Sequence, residues 1–108
     1  MLPENRAPFH PGELLLEEFL EPMGITQTDF AGKLGVDIQR LNGIIKGRRA
    51  VSAETAWLLS KALGTSPEFW TNAQARWDLW KARKKLNQSG KLKEVQKVQK
   101  VIVKVGHG

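Results

Sequence analysis

Twenty residues, Gln27 to Lys46 (QTDFAGKLGVDIQRLNGIIK), constrain the fold more than any other part of the chain. Small and apolar side chains recur there in the order that two short helices locked around a tight turn require. Counting Gln27 as the first position, Ala31 is the fifth and Gly35 the ninth, with Phe30, Leu34, Val36, Leu41 and Ile44 at the apolar positions between and beyond. Where two such helices cross, the first accepts only a small side chain, as Ala31 provides, and the turn favours a residue that tolerates a left-handed backbone, as Gly35 does. Phe30, Ala31, Leu34, Gly35, Val36, Leu41 and Ile44 are therefore the expected core of a helix-turn-helix. Gln27 to Leu34 is too short to persist as an isolated helix, so the pattern makes sense only if tertiary packing holds it. An ordinary helical hairpin would also place apolar residues at such intervals.

The flanking chemistry narrows the choice. Thr26 with Asp29 is a threonine-led capping pattern, and Asp37 is placed to accept backbone N–H groups at the start of the second helix. Gly47 follows Lys46 where a left-handed cap would end that helix.

The rest of the chain fits a small helical domain. Its 108 residues allow one compact core plus a tail, and 41% hydrophobic with 26% charged residues is a globular composition. No apolar run is long enough for a transmembrane helix or a signal-peptide core, so a cytoplasmic protein without membrane association is expected. With no cysteine there are no disulfides, thiolate metal sites or cysteine nucleophiles.

Residues 1–9 contain two prolines and no periodicity and are expected to be a flexible arm. His10-Pro11-Gly12-Glu13 opens a first helix, Leu14, Leu15, Phe19 and Leu20 form its core stripe, and Pro22 with Gly24 is expected to stop it. Ser52 caps a fourth helix that ends at Gly64, and Ser66-Pro67-Glu68 starts a fifth that runs to Leu86. The expected architecture is all-α: five helices over residues 10–86, followed by a basic, valine-rich tail over 87–108. Within that tail, Val101, Val103 and Val105 alternate as in a strand, whereas Val95, Val98 and Ile102 also fit a helix. Periodicity alone does not decide, and a short strand over Lys100 to Val105 is the favoured reading.

The net charge of +6 is concentrated in two places. Residues 26–50 carry five bases against two acids, and residues 81–108 carry nine against one. The first peak coincides with the helix-turn-helix, as a phosphate-facing surface should. In such a motif the second helix enters the major groove of double-stranded DNA, and its outward residues meet base edges. Ile38, Gln39, Arg40 and Asn42 are the expected base contacts. Gln39 suits adenine N6 and N7, Arg40 suits guanine O6 and N7, and Ile38 suits a thymine methyl, while Gly43 would let the backbone come close. Gln27 at the start of the preceding helix, and Lys46, Arg48 and Arg49 at the exit, are the expected phosphate contacts.

All four tryptophans lie between residues 57 and 80. Trp70, Trp77 and Trp80 fit either a tryptophan-rich core or a protein interface. A homodimer is expected, because one short recognition helix reads too few base pairs alone. No catalytic constellation, metal site or cofactor motif appears, so an enzyme is not expected; His10 is most simply a structural residue at a helix start.

The segments HPGELLLEEFLEP, GITQTDFAGKLGV, QRLNGIIKGRRAVSAETAWLLSKALGTSPEFW and NAQARWDLW resemble the HigA antitoxin branch, also known as VapI-like, of the lambda-repressor-like (XRE/Cro) family, over residues 8–82. The resemblance implies a dimer that binds an operator upstream of its own operon and neutralises a HigB toxin, a RelE-type endoribonuclease acting on messenger RNA. It places Gln39, Arg40 and Asn42 in the family's recognition helix and Arg48 with Arg49 in its basic exit. Gly43 and Lys46 depart from the usual residues, which bears on the operator recognised. A solitary repressor without a toxin, or a masking module that no longer binds DNA, are the alternatives.

Overall fold

The computed structural model describes residues 7–99, and among these every regular element is helical. Helix α1 (residues 11–23) is capped by His10, whose Nδ1 accepts the Gly12 N–H at 2.9 Å, with Pro11 in its first turn. Its middle, Leu15–Leu20, winds as a π-helix, and the Glu21 N–H reaches the Leu16 carbonyl five residues back. Pro22 does not stop this helix, contrary to the expectation from sequence; it lies within the last segment, Glu21–Met23. A proline ring clashes with the carbonyl four residues back in a regular α-helix, and the wider turns before Pro22 relieve that clash. Gly24, left-handed at φ 67°, makes the stop.

Helix α2 (Gln27–Leu34) and helix α3 (Ile38–Ile45) are joined through Gly35, left-handed at φ 73°. Thr26 Oγ1 accepts the Asp29 N–H, and Asp37 Oδ1 accepts the Gln39 N–H at 2.7 Å, so both helices start on side-chain caps. Helix α4 (Ala53–Leu63) begins on Ser52 and helix α5 (Pro67–Ser89) on Ser66. Helix α5 continues past Leu86, and Gln88-Ser89 does not break it; Gly90 terminates it and leads into a sixth short helix, α6 (Lys91–Glu94). The strand expected over Lys100 to Val105 lies outside the described residues, as do the first six residues of the expected arm. Pro8, within that arm, is buried.

One core unites α1 to α5. Leu15, Leu20, Phe30, Ala31, Leu34, Leu41, Ile44, Val51, Ala56, Leu59 and Trp70 are buried together, with Val36 packed partly against them. Trp70 is fully enclosed, its indole Nε1 donating to Thr65 Oγ1 at 2.7 Å and its ring meeting Phe19 and Phe69. Only the first half of α5 is anchored this way, through Trp70, Ala73 and Gln74; Leu79 farther along is 70% exposed.

Helix α1 meets the end of α3 without any side chain between them. A β-carbon added at Gly12 would lie 1.8 Å from the Ile44 carbonyl oxygen, which belongs to the backbone and cannot rotate away. Elsewhere in a helix, Gly→Ala gains up to about 1 kcal/mol from propensity. Here the clash reverses the sign. Gly12→Ala should destabilise the fold by about 1–3 kcal/mol, as overpacking typically does, read as a drop of several degrees in the melting midpoint followed by circular dichroism. A midpoint that rises would show that α1 is free to shift.

Candidate nucleic-acid interface

Helix α3 buries Leu41 and Ile44 and half-buries Ile45. With about 3.6 residues per turn, this turns Gln39, Asn42, Gly43 and Lys46 to the opposite side. Ile38, Gln39, Asn42 and Gly43 line one open cleft together with Arg48 and Arg49 from the exit loop. Ile38 is 40% exposed at the leading end, an apolar side chain that the fold leaves in water.

The polar residues of this surface are held in place. Asn42 Nδ2 donates to Gln27 Oε1 at 3.2 Å, an amide pair that links the first residue of α2 to the outward edge of α3. Arg40 projects from the flank and not from the centre of that edge. Its Nη2 donates to Thr55 Oγ1 at 3.4 Å, near the start of α4, and Ser52 Oγ donates to the same hydroxyl at 3.1 Å. Lys46, Arg48 and Arg49 are all exposed.

The exit loop is fixed from both sides. Gly47 takes φ 77°, and the backbone N–H groups of Arg48 and Arg49 both reach the Gly43 carbonyl, at 2.8 and 3.1 Å. Beyond them the Val51 N–H donates to Gln74 Oε1 at 2.8 Å, and Gln74 Nε2 donates to Asp78 Oδ1 at 3.0 Å. Gln74 is buried, so α5 grips the loop that carries the cations. Sequence reasoning did not single out Gln74, Thr55 or the glycine contact at Gly12, because each depends on a neighbour distant along the chain.

His10 packs beneath the same loop, where a β-carbon added at Gly47 would lie 3.8 Å from its ring, and stands edge-on to Trp77 with centroids 5.3 Å apart. Burial lowers its pKa below the ordinary 6.5; Asp78 and Glu13 oppose this, and Lys81 adds to it. The neutral ring also supplies the acceptor for the Gly12 N–H. A base with a depressed folded-state pKa takes up its proton more readily in the unfolded chain, so its stabilising contribution is complete above about pH 6.5 and is lost as the pH falls below that value. Urea unfolding at pH 7.5 and pH 5.5 should show weaker folding at the lower pH, and His10→Asn, which caps without titrating, should flatten that difference. An unchanged pH slope in the variant would assign the loss to the carboxylates.

The three tryptophans proposed for an interface separate. Trp70 is wholly inside this chain's own core and is unavailable to a partner, which corrects its assignment; its fused ring fills the gap between α1 and α5. Trp77 and Trp80 are half-buried, their rings 5.5 Å apart, with the Lys84 ammonium over Trp80. Trp57, which sequence spacing did not single out, is 65% exposed on α4. Among the described residues no group of three or more His, Asp or Glu side chains is placed to hold a metal ion, and no helix is long and apolar enough to cross a membrane.

A family model described as helix-turn-helix matches residues 16–70. Antitoxin HigA-1 of Vibrio cholerae is 41% identical over 87 residues, a span covering 81% of this chain and 82% of that protein. The chain belongs to the HigA branch of the helix-turn-helix family. Two solved structures extend the likeness of this HigA-type chain to the backbone. Antitoxin GraA in complex with its operator superposes with a TM-score of 0.81 at 38% identity, covering 93% of this chain and all of GraA (100%). The Pseudomonas aeruginosa antitoxin HigA with the higBA promoter superposes at 0.79 with 32% identity, covering 85% of this chain and 99% of that one. Relatives of this kind are named as antitoxins and transcriptional regulators, not as enzymes.

Proposed function

We propose that this HigA-type chain is a cytoplasmic antitoxin that represses its own operon by binding operator DNA in sequence-specific fashion and neutralises a HigB-type messenger-RNA endoribonuclease. The observation that carries the DNA reading is the outward edge of α3, where Ile38, Gln39 and Asn42 stand in one open cleft flanked by cations. Apolar and amide groups along the exposed edge of a helix suit base edges in a major groove. Ile38, Gln39 and Asn42 meet bases near the centre of each half-site. Arg40 reaches a base at its border by exchanging the Thr55 hydrogen bond. Gln27, Lys46 and Arg48 take phosphates and set the register. Two copies bind together, recognition helices about 34 Å apart on successive turns of the groove. The GraA and HigA structures solved with operator and promoter DNA support this reading.

Gel shift with the DNA upstream of the gene tests it. Gln39→Ala should cost about 1–3 kcal/mol at one base pair per half-site and little elsewhere, relaxing selectivity there. Arg48→Ala should weaken binding to every sequence alike and lower the slope of log K against log salt by about one per protomer. If wild-type protein binds the upstream DNA no better than scrambled DNA, the repressor reading falls. For the partner, a short basic reading frame beside the gene should arrest growth when expressed alone, and coexpression of this chain should restore growth. Arrest that persists despite coexpression would leave a solitary repressor.

A further inference from the structure

Arg48 and Arg49 are neighbours in sequence and equal in charge, so spacing alone assigns both to phosphates. The structure gives Arg49 a different setting. Its Cγ and Cδ lie 3.1 Å from where a Gly43 β-carbon would be, and its Nε lies 3.4 Å away. The aliphatic stem is therefore laid across α3 at the one outward position without a side chain, and Gly43 is buried beneath it. Gly43 follows Gln39 by one helical turn and adjoins Asn42, and all three line the same cleft as Arg49. Crossing at that point brings the guanidinium onto the edge that carries the amides.

The Arg49 N–H is bonded to the Gly43 carbonyl, and two residues on the Val51 N–H is bonded to Gln74, so the backbone that launches this side chain is fixed before any ligand arrives. Among the described residues the Arg49 guanidinium has no hydrogen-bond or ion-pair partner, whereas the guanidinium of Arg40 is engaged by Thr55. A planar fork with all its donors free, held on the groove-facing edge of a recognition helix, matches the paired acceptors O6 and N7 of guanine.

We propose that Arg49 is a specificity-determining residue that reads a guanine in the major groove, and that Gly43 is the slot that admits its stem. This rests on the DNA-binding reading above and adds to α3 a base contact from outside the helix. A larger residue at position 43 would push the stem away from the edge, so the glycine and the arginine act as one element.

The test starts from the preferred half-site of the full-length wild-type protein, selected from random-sequence DNA. Affinities are then measured by fluorescence anisotropy for that site and for every single base-pair substitution, with wild type, Arg49→Ala, Arg49→Lys and Gly43→Ala. Arg49 is exposed, and circular dichroism should report unchanged folding for its two variants. Wild type should lose about 5- to 150-fold at one G·C pair per half-site when that pair is replaced. Both Arg49 variants should erase this preference while sparing those at other positions, and the lysine variant should keep the wild-type salt slope because it keeps the charge. Gly43→Ala should weaken the same preference alone. Uniform weakening by Arg49→Ala with every base preference intact would make Arg49 a phosphate contact and overturn the assignment, leaving the DNA-binding reading standing. A wild-type protein that selects no sequence at all would overturn both.

Discussion

An eight-residue helix does not hold its shape alone in water, and the eight residues of α3 carry the surface on which this protein's proposed activity depends. Its rigidity is borrowed from contacts on every side but one. Leu41 and Ile44 sink into the common core, Asp37 caps the start, and Gly12 brings α1 against the Ile44 carbonyl at the end. The exit loop folds back onto the Gly43 carbonyl and is held by Gln74 from α5. What remains uncovered is the edge with Ile38, Gln39 and Asn42. Exposure there is the remainder left by burial everywhere else.

The polar layer over this helix is organised by hydrogen bonds that tie different elements together through their side chains. Gln27 with Asn42, Arg40 with Thr55, and Gln74 with the Val51 N–H each join two elements. Such bonds add little to net stability, but they restrict rotamers before a ligand arrives, which lowers the ordering cost of binding. Lys46 and Arg48, by contrast, stand exposed at the rim, where long-range attraction to a polyanion needs no fixed side-chain geometry. Orientation and attraction are thus supplied by different residues.

Much of this was legible in the sequence because the signals are local. Thr26, Asp37, Ser52 and Ser66 cap the helices they precede, and Gly24, Gly35 and Gly64 end helices in the left-handed region. Spacing alone put Phe30, Ala31, Leu34, Leu41 and Ile44 inside. Long-range effects were not legible. Pro22 reads as a stop, but a π-helical stretch before it absorbs the ring. Trp70 reads as either core or interface until the packing of Phe19 and Phe69 around it decides. Arg40 looks like a neighbour of Gln39, yet helical rotation carries it to the flank, where Thr55, fifteen residues on, takes its guanidinium. Gly12 resembles an ordinary helix weakness and Gly43 reads as room for the backbone to approach DNA; the closeness of the Ile44 carbonyl to the one and of the Arg49 stem to the other emerges only from the packing.

The pairing of Gln27 with Asn42 has a consequence for descent with modification. Each amide is oriented by the other across two helices, so altering either codon alone strands its counterpart without its match. Under the proposed contact of Asn42 with a base, a change at either position also alters how the other amide is presented to the operator base pair that Asn42 meets. The two sites should therefore be inherited as a unit, and operator drift at that pair should be slow.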